Sequence, residues 1–135
     1  MSCILNILGE NFDVDDFLLK TKLVPYKIFH KDSPRYQTKP EGKKNTNSGC
    51  SIEISKAEFS DFDGQVKDVI DYLNKHNKDL QILSTTPEIQ FATLNFGVDY
   101  DINKFVQSHY LPPELLKTVA DLCISVELSI YQQNA

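Results

Sequence analysis

The sequence predicts an α+β fold: a largely antiparallel sheet with helices packed on one face, ferredoxin-like or an elaboration of it. Three observations carry this. The segment 124–131 alternates, with Ile124, Val126, Leu128 and Ile130 on one side and Ser125, Glu127, Ser129 and Tyr131 on the other. That is the pattern of a strand with one buried and one wet face. From Ser60 onward, Val66, Val69, Ile70, Leu73 and Leu80 recur at helical spacing. Finally, the order strand, helix, strand or loop, strand, helix, strand, helix, strand places a few helices over one sheet.

Each element follows from its residues. Cys3 to Leu8 is a short apolar run closed by Gly9, a buried strand. Asp13 caps a helix whose inner stripe is Val14, Phe17 and Leu18. Pro25 closes that unit, because the residue before proline is pushed out of helical geometry. Tyr26 to Phe29 reads as a brief strand. Residues 30–49 hold two prolines, two glycines and one large apolar side chain, Tyr36, and form a long loop.

The next strand puts Cys50, Ile52 and Ile54 inward and Ser51, Glu53 and Ser55 outward. After the main helix, Thr85-Thr86-Pro87 is a stop. Residues 88–98 are apolar on both faces, which predicts a central strand with a bulge at Gly97. Residues 102–110 fit either a short strand or a helical turn. Pro112-Pro113-Glu114 opens the last helix, since proline suits a first turn.

With 135 residues, 41% hydrophobic and 24% charged, the chain is of ordinary globular composition and of single-domain length. A domain of this size holds a core without disulfides or metal. No apolar run approaches the roughly 18 residues of a membrane-spanning helix. Residues 1–9 have no Lys or Arg ahead of them and lead into an acidic cluster, unlike a signal peptide. Cys3, Cys50 and Cys123 are an odd, widely spaced set, which suits free thiols in a reducing compartment. The expected location is cytoplasmic, with no membrane association.

Candidate chemistry is sparse. Cys–His dyads or metal sites could be drawn from the cysteines and His30, His76 and His109, but no pair has a recognised spacing. All three cysteines fall in predicted strands, where small unreactive core thiols are common. Asp13, Asp15 and Asp16, and Asp61 and Asp63, lie at helix starts, where carboxylates cap free N–H groups. Asp99, Asp101 and Asn103 imitate the opening of an EF-hand loop. That loop fails, with Lys104 where glycine is needed and Tyr110 where a bidentate glutamate is needed. The five glycines form no phosphate cradle, and no nucleophile elbow or zinc motif is present. No cofactor or metal is expected, and any active site would have to be assembled in space from separated residues.

Charge is the uneven feature. Residues 20–44 carry eight Lys and Arg against Asp32 and Glu41, a net of +6, whereas the rest holds six basic and 17 acidic residues, a net of −11. Lys27, Lys31, Arg35, Tyr36, Lys39, Lys43 and Lys44 form the candidate site for an anionic partner, through phosphate contacts and base stacking. The competing explanation is a solvated loop, or one folded over the protein's own acidic surface.

The turn Gly9-Glu10-Asn11-Phe12-Asp13, Pro25, Lys31-Asp32-Ser33-Pro34-Arg35, Ser48-Gly49, and the Glu114-Leu115-Leu116 helix leading to the strand that ends at Tyr131 form a series. Together they resemble the uncharacterised bacterial family named domain of unknown function 4279, over nearly the whole chain. That family tends to carry tryptophan where Cys50 stands and glycine where Asp32 stands. The resemblance implies a compact bacterial α+β domain and supplies no catalytic residues. The leading expectation is a non-catalytic protein-interaction module of the immunity or antitoxin kind, whose acidic surface would suit a basic cleft on a protein partner. The second is a nucleic-acid or anionic-ligand binder acting through residues 20–44, and the third an enzyme with a spatially assembled site. The exposed face of the last strand also suits a homodimer edge.

Overall fold

The computed structural model describes residues 1–132. Its elements are β1 (Cys3–Gly9), α1 (Val14–Lys20), β2 (Lys27–Phe29), β3 (Ser48–Ser55), α2 (Phe62–Lys75), α3 (Asn77–Leu80), a 3-10 turn (Gln81–Thr85), β4 (Phe91–Asp99), α4 (Pro113–Asp121) and β5 (Ser125–Tyr131). The five strands form one sheet in the order β2-β3-β1-β4-β5. All neighbours are antiparallel except β4 and β5. The fold is therefore α+β with a mostly antiparallel sheet. In the first four strands, β1-α1-β2 encloses β3 and β3-α2-β4 encloses β1, the two split βαβ units of a ferredoxin-like fold, and α4 with β5 elaborates it by one strand parallel to β4.

β1 lies at the centre, paired to β3 on one side and β4 on the other. Its burial alternates: Cys3, Leu5 and Ile7 are fully buried while Ile4, Asn6 and Leu8 are half-exposed. The buried set packs with Ile52, Leu94, Phe96 and Val98 against Val66, Val69 and Leu73 of α2 and Leu115 and Val119 of α4. The opposite face mixes Ile4, Leu8 and Phe91 with polar pairs, Ser51 Oγ donating to Asn6 Oδ1 at 2.6 Å and the Thr93 and Ser125 hydroxyls 2.7 Å apart. Helices start as their residues dictate. Asp13 Oδ1 accepts from Asp16 N at 3.1 Å, Asp61 Oδ1 accepts from Gly64 N at 3.0 Å, and Pro113 opens α4.

Four expectations change in detail. The predicted helix from Ser60 ends at Lys75, and Leu80 is buried on a separate short helix. β3 gains an extra residue between the partners of Cys3 and Ile4, because Cys3 faces Ser55 while Ile4 faces Glu53. This bulge turns Ser55 to the helix side, where it is buried and donates to Asp68 Oδ2 at 2.6 Å. Gly97 is not a bulge, since its pairing with β5 continues unbroken. It is glycine because a Cβ there would sit 3.0 Å from the Phe59 ring and 3.1 Å from the Ser2 carbonyl oxygen. Cys123 is exposed, in a turn after α4 at φ 60°, and not in a strand.

β4 outlasts β1 at the Gly97 end, which would leave a carbonyl without a ladder partner. Gln65, fully buried on α2, donates from Nε2 to Gly97 O at 2.8 Å, and Gly97 N donates to Ser2 O at 2.7 Å. The buried amide thus ties the main helix to the central strands. Among the described residues no helix is long and apolar enough to cross a membrane.

Burial pushes the Cys3 thiol up to about 12 and the Cys50 thiol up to about 11, from 9.0. It also pushes the Tyr72 hydroxyl up to about 12, from 10.0, with nearby charge adding to the shift. Each group keeps its proton in the folded chain at pH values where the unfolded chain has lost it. Their contribution to stability is therefore complete below about pH 9 and declines as pH rises toward 12. Denaturant melts stepped through that window should show a falling midpoint, and iodoacetamide at pH 8 should label Cys123 alone until denaturant is added.

Candidate functional site

The basic tract is an ordered hairpin-like excursion. Arg35 N donates to Lys43 O at 2.9 Å, Asp32 N to Asn45 O at 2.9 Å and Asn45 N to Ser33 O at 2.9 Å. Pro34 and Lys44 form an antiparallel bridge. At the tip, Lys39 N donates to Tyr36 O and Gly42 N to Lys39 O. Asp32 has φ 68°, the left-handed region that glycine enters freely and aspartate tolerates. This is the position where the resembled family tends to carry glycine.

The base of the excursion is stapled to the acidic body. His30 Nε2 lies 2.9 Å from Asp15 Oδ2 on α1, and Lys31 Nζ lies 3.6 Å from Glu10. Lys31 N also donates to Ser48 Oγ at 2.8 Å, while Lys20, at the end of α1, pairs with Asp16 of the same helix at 2.7 Å. The structure therefore divides the predicted site. Arg35, Tyr36, Lys39, Lys43 and Lys44 share the excursion, all exposed. Lys31 is turned to Glu10, and Lys27 lies on β2 with its ammonium 6.0 Å above the Phe29 ring. Among the described residues Arg35, Lys39 and Lys43 have no acidic partner within 4 Å, while Lys44 Nζ donates to Pro40 O at 2.7 Å.

A second region holds residues that the sequence offered only as a failed EF-hand-like loop and as a lone histidine. At the carboxyl end of β4 a cleft of about 420 Å³ is bordered by Phe59, Asp99, Asp101, Lys104 and His109. It sits beyond the carboxyl ends of the parallel pair β4–β5, where open sheets commonly place ligand crevices. Its wall is residues 100–111, neither strand nor helix, and one side chain organises it. Gln107 Nε2 donates to Asp99 O at 2.6 Å, and its Oε1 accepts from Asp101 N at 3.0 Å. These two backbone partners fix which way the amide points, so its nitrogen also donates to His109 Nε2 at 2.9 Å. The acceptor nitrogen of His109 is thus occupied, and its ring packs on Phe62, 4.9 Å between centroids, which in turn packs on Phe96. His109 serves here as an anchor from loop to core.

Held this way, the loop points apolar side chains outward. Phe105 is fully exposed, and Ile102, Val106 and Tyr110 are more than half exposed. Asp99, Asp101 and Lys104 border them, with Lys104 Nζ 4.0 Å from Asp101. Asp101 Oδ1 accepts from Asn103 N at 3.0 Å, which uses the EF-hand-like carboxylate as a turn acceptor. Among the described residues no three His, Cys, Asp or Glu side chains converge as a metal site. The thiols of Cys3 and Cys50 are buried within the sheet, and neither borders the cleft.

The structure defines a class: an α+β domain with a one-sided five-stranded sheet, an ordered basic excursion and an apolar-tipped loop over a small cleft. The chain belongs to the family described as Domain of unknown function (DUF4279), which matches residues 1–133. No curated protein and no solved structure matches it.

Replacing Gln107 by leucine removes both backbone bonds that shape the loop. A net loss of about 1 kcal/mol for each bond should speed amide exchange at Asp101 about tenfold or more. Exchange at β1 should stay unchanged, which hydrogen-exchange mass spectrometry with peptide resolution checks.

Proposed function

We propose that this chain is a non-catalytic protein-interaction module of the immunity or antitoxin kind, acting in the cytoplasm. The observation that carries the reading is the loop 100–111, which holds Ile102, Phe105, Val106 and Tyr110 in solvent on a hydrogen-bonded frame. Large apolar side chains presented rigidly at a surface are what protein partners bury, because little ordering entropy is lost on binding. The acidic groups beside them, on a body of net −11, favour a partner whose apolar pocket has a basic rim. Three free cysteines, two of them buried, support a reducing compartment.

Tagged chain used to capture protein from native lysate should recover a stoichiometric partner. The Phe105→Ser, Val106→Ser double variant should bind at least about 30-fold more weakly, the scale of losing an aromatic anchor. Both side chains project into solvent, so the melting temperature should not move. Equal capture by the variant, or no partner at all, overturns the reading.

The second reading, binding of a nucleic acid or other anionic ligand, is favoured by one observation. Arg35, Tyr36, Lys39 and Lys43 share one excursion and three of them lack acidic partners among the described residues. A single-stranded oligonucleotide should then bind with an affinity that falls steeply with salt. Replacing Lys39, Lys43 and Lys44 by glutamate should abolish that binding. Binding insensitive to salt would exclude it.

A further inference from the structure

The two edges of the sheet are built differently. β2 has three residues, begins at Lys27 and follows Pro25 closely, three devices that discourage another strand from pairing. β5 has seven residues, no proline, no Lys or Arg, and Glu127 as its one charge. Its backbone alternates in its bonding to β4. The Tyr131 carbonyl accepts from Tyr100 N at 2.8 Å, so Tyr131, Ser129, Glu127 and Ser125 bond inward. The N–H and C=O groups of Val126, Leu128 and Ile130 consequently point away from the sheet. The side chains of these same residues form an apolar stripe whose cover runs out along the strand. Val126 is half-buried, Leu128 is 38% exposed and Ile130 is 62% exposed.

This edge is self-complementary. Turned about a twofold axis at Leu128, an antiparallel copy puts Val126 opposite Ile130 and Leu128 opposite Leu128, each with its outward-pointing N–H and C=O facing its counterpart's. On the other face Ser125 meets Tyr131 and Glu127 meets Ser129. All seven residues are used and no like charges meet. A register centred one residue earlier would place Glu127 against Glu127, which is destabilising. We propose that two copies of this chain pair through β5 in this register, which joins the two five-stranded sheets into one. The inference is independent of the partner surface at residues 100–111. One strand pair covers less than the about 1,200–2,000 Å² of a standard interface, so the dimer should be concentration-dependent.

Sedimentation equilibrium of the full chain at high micromolar concentration should give twice the single-chain mass. Leu128→Lys, which sets two ammonium groups together at the axis, should give the single-chain mass with an unchanged circular-dichroism spectrum. A cross-link reads the register in variants that keep a small uncharged side chain. In a Cys123→Ser background, Leu128→Cys should form an intermolecular disulfide under mild oxidation, since paired Cα atoms there lie about 5.5 Å apart. Val126→Cys should not, because the two copies of that position lie about 13 Å apart along the strands. A single-chain mass for the wild type, a dimer that survives Leu128→Lys, or equal cross-linking at both positions overturns the proposal.

Discussion

All the helices lie on one face of the sheet, and this one-sided burial sets most of the other features. Each strand can hide only every second residue, so the central strand β1 buries Cys3, Leu5 and Ile7 and leaves Ile4, Asn6 and Leu8 half-exposed. The open face must then carry groups that water tolerates, and it does so in part with paired Asn, Ser and Thr side chains. α2 and α4 pack together over the middle of the sheet, and their cover gives out toward β5. Gln65 shows how firmly α2 is set. It satisfies the Gly97 carbonyl at the point where β1 ends and no strand remains to do so.

The elements that could be read from the sequence are those whose pattern is local. β1, α1, α2, α4 and β5 each show their period within a dozen residues, and Asp13 and Asp61 sit where a cap is chemically needed. What could not be read depends on neighbours remote in the chain. The inward turn of Ser55 follows from an extra residue relative to β1, some 50 positions away. The perfect alternation of β5 says which residues share a face. Whether that face is covered depends on how far α4 reaches, so Ile130 matches the expected side and is nonetheless exposed. Cys123 was placed in a strand by its apolar neighbours, but α4 needs a left-handed residue to end and Cys123 occupies that position.

The loop 100–111 was hidden for a different reason. Its order comes from one amide, Gln107, reaching back to Asp99 and Asp101 and sideways to His109. Side-chain-to-backbone bonds of this type have no period, and a glutamine in a polar stretch carries no distinguishing signal. The one available hint was the set of large apolar residues, Ile102, Phe105, Val106 and Tyr110, in a segment whose spacing fits a helical turn or a short strand while the structure forms neither. Such residues are either core or contact surface, and their exposure decides between the two.

Charge separates in the same physical way. The +6 tract and the −11 body are neighbours in space, and a folded chain neutralises what it can reach. His30 and Lys31 meet Asp15 and Glu10 at the root of the excursion, and these contacts hold it against α1 and the turn before it. Such exposed pairs contribute little stability, about 0–1 kcal/mol each, so their effect is mainly to orient the excursion. The cations beyond the root have no acidic group within reach among the described residues, because the hairpin ladder through Arg35 and Lys43 carries them away from the body. The same ladder that orders the tract therefore keeps it from folding flat onto the acidic surface, and leaves Arg35, Lys39 and Lys43 available to an anionic group from outside.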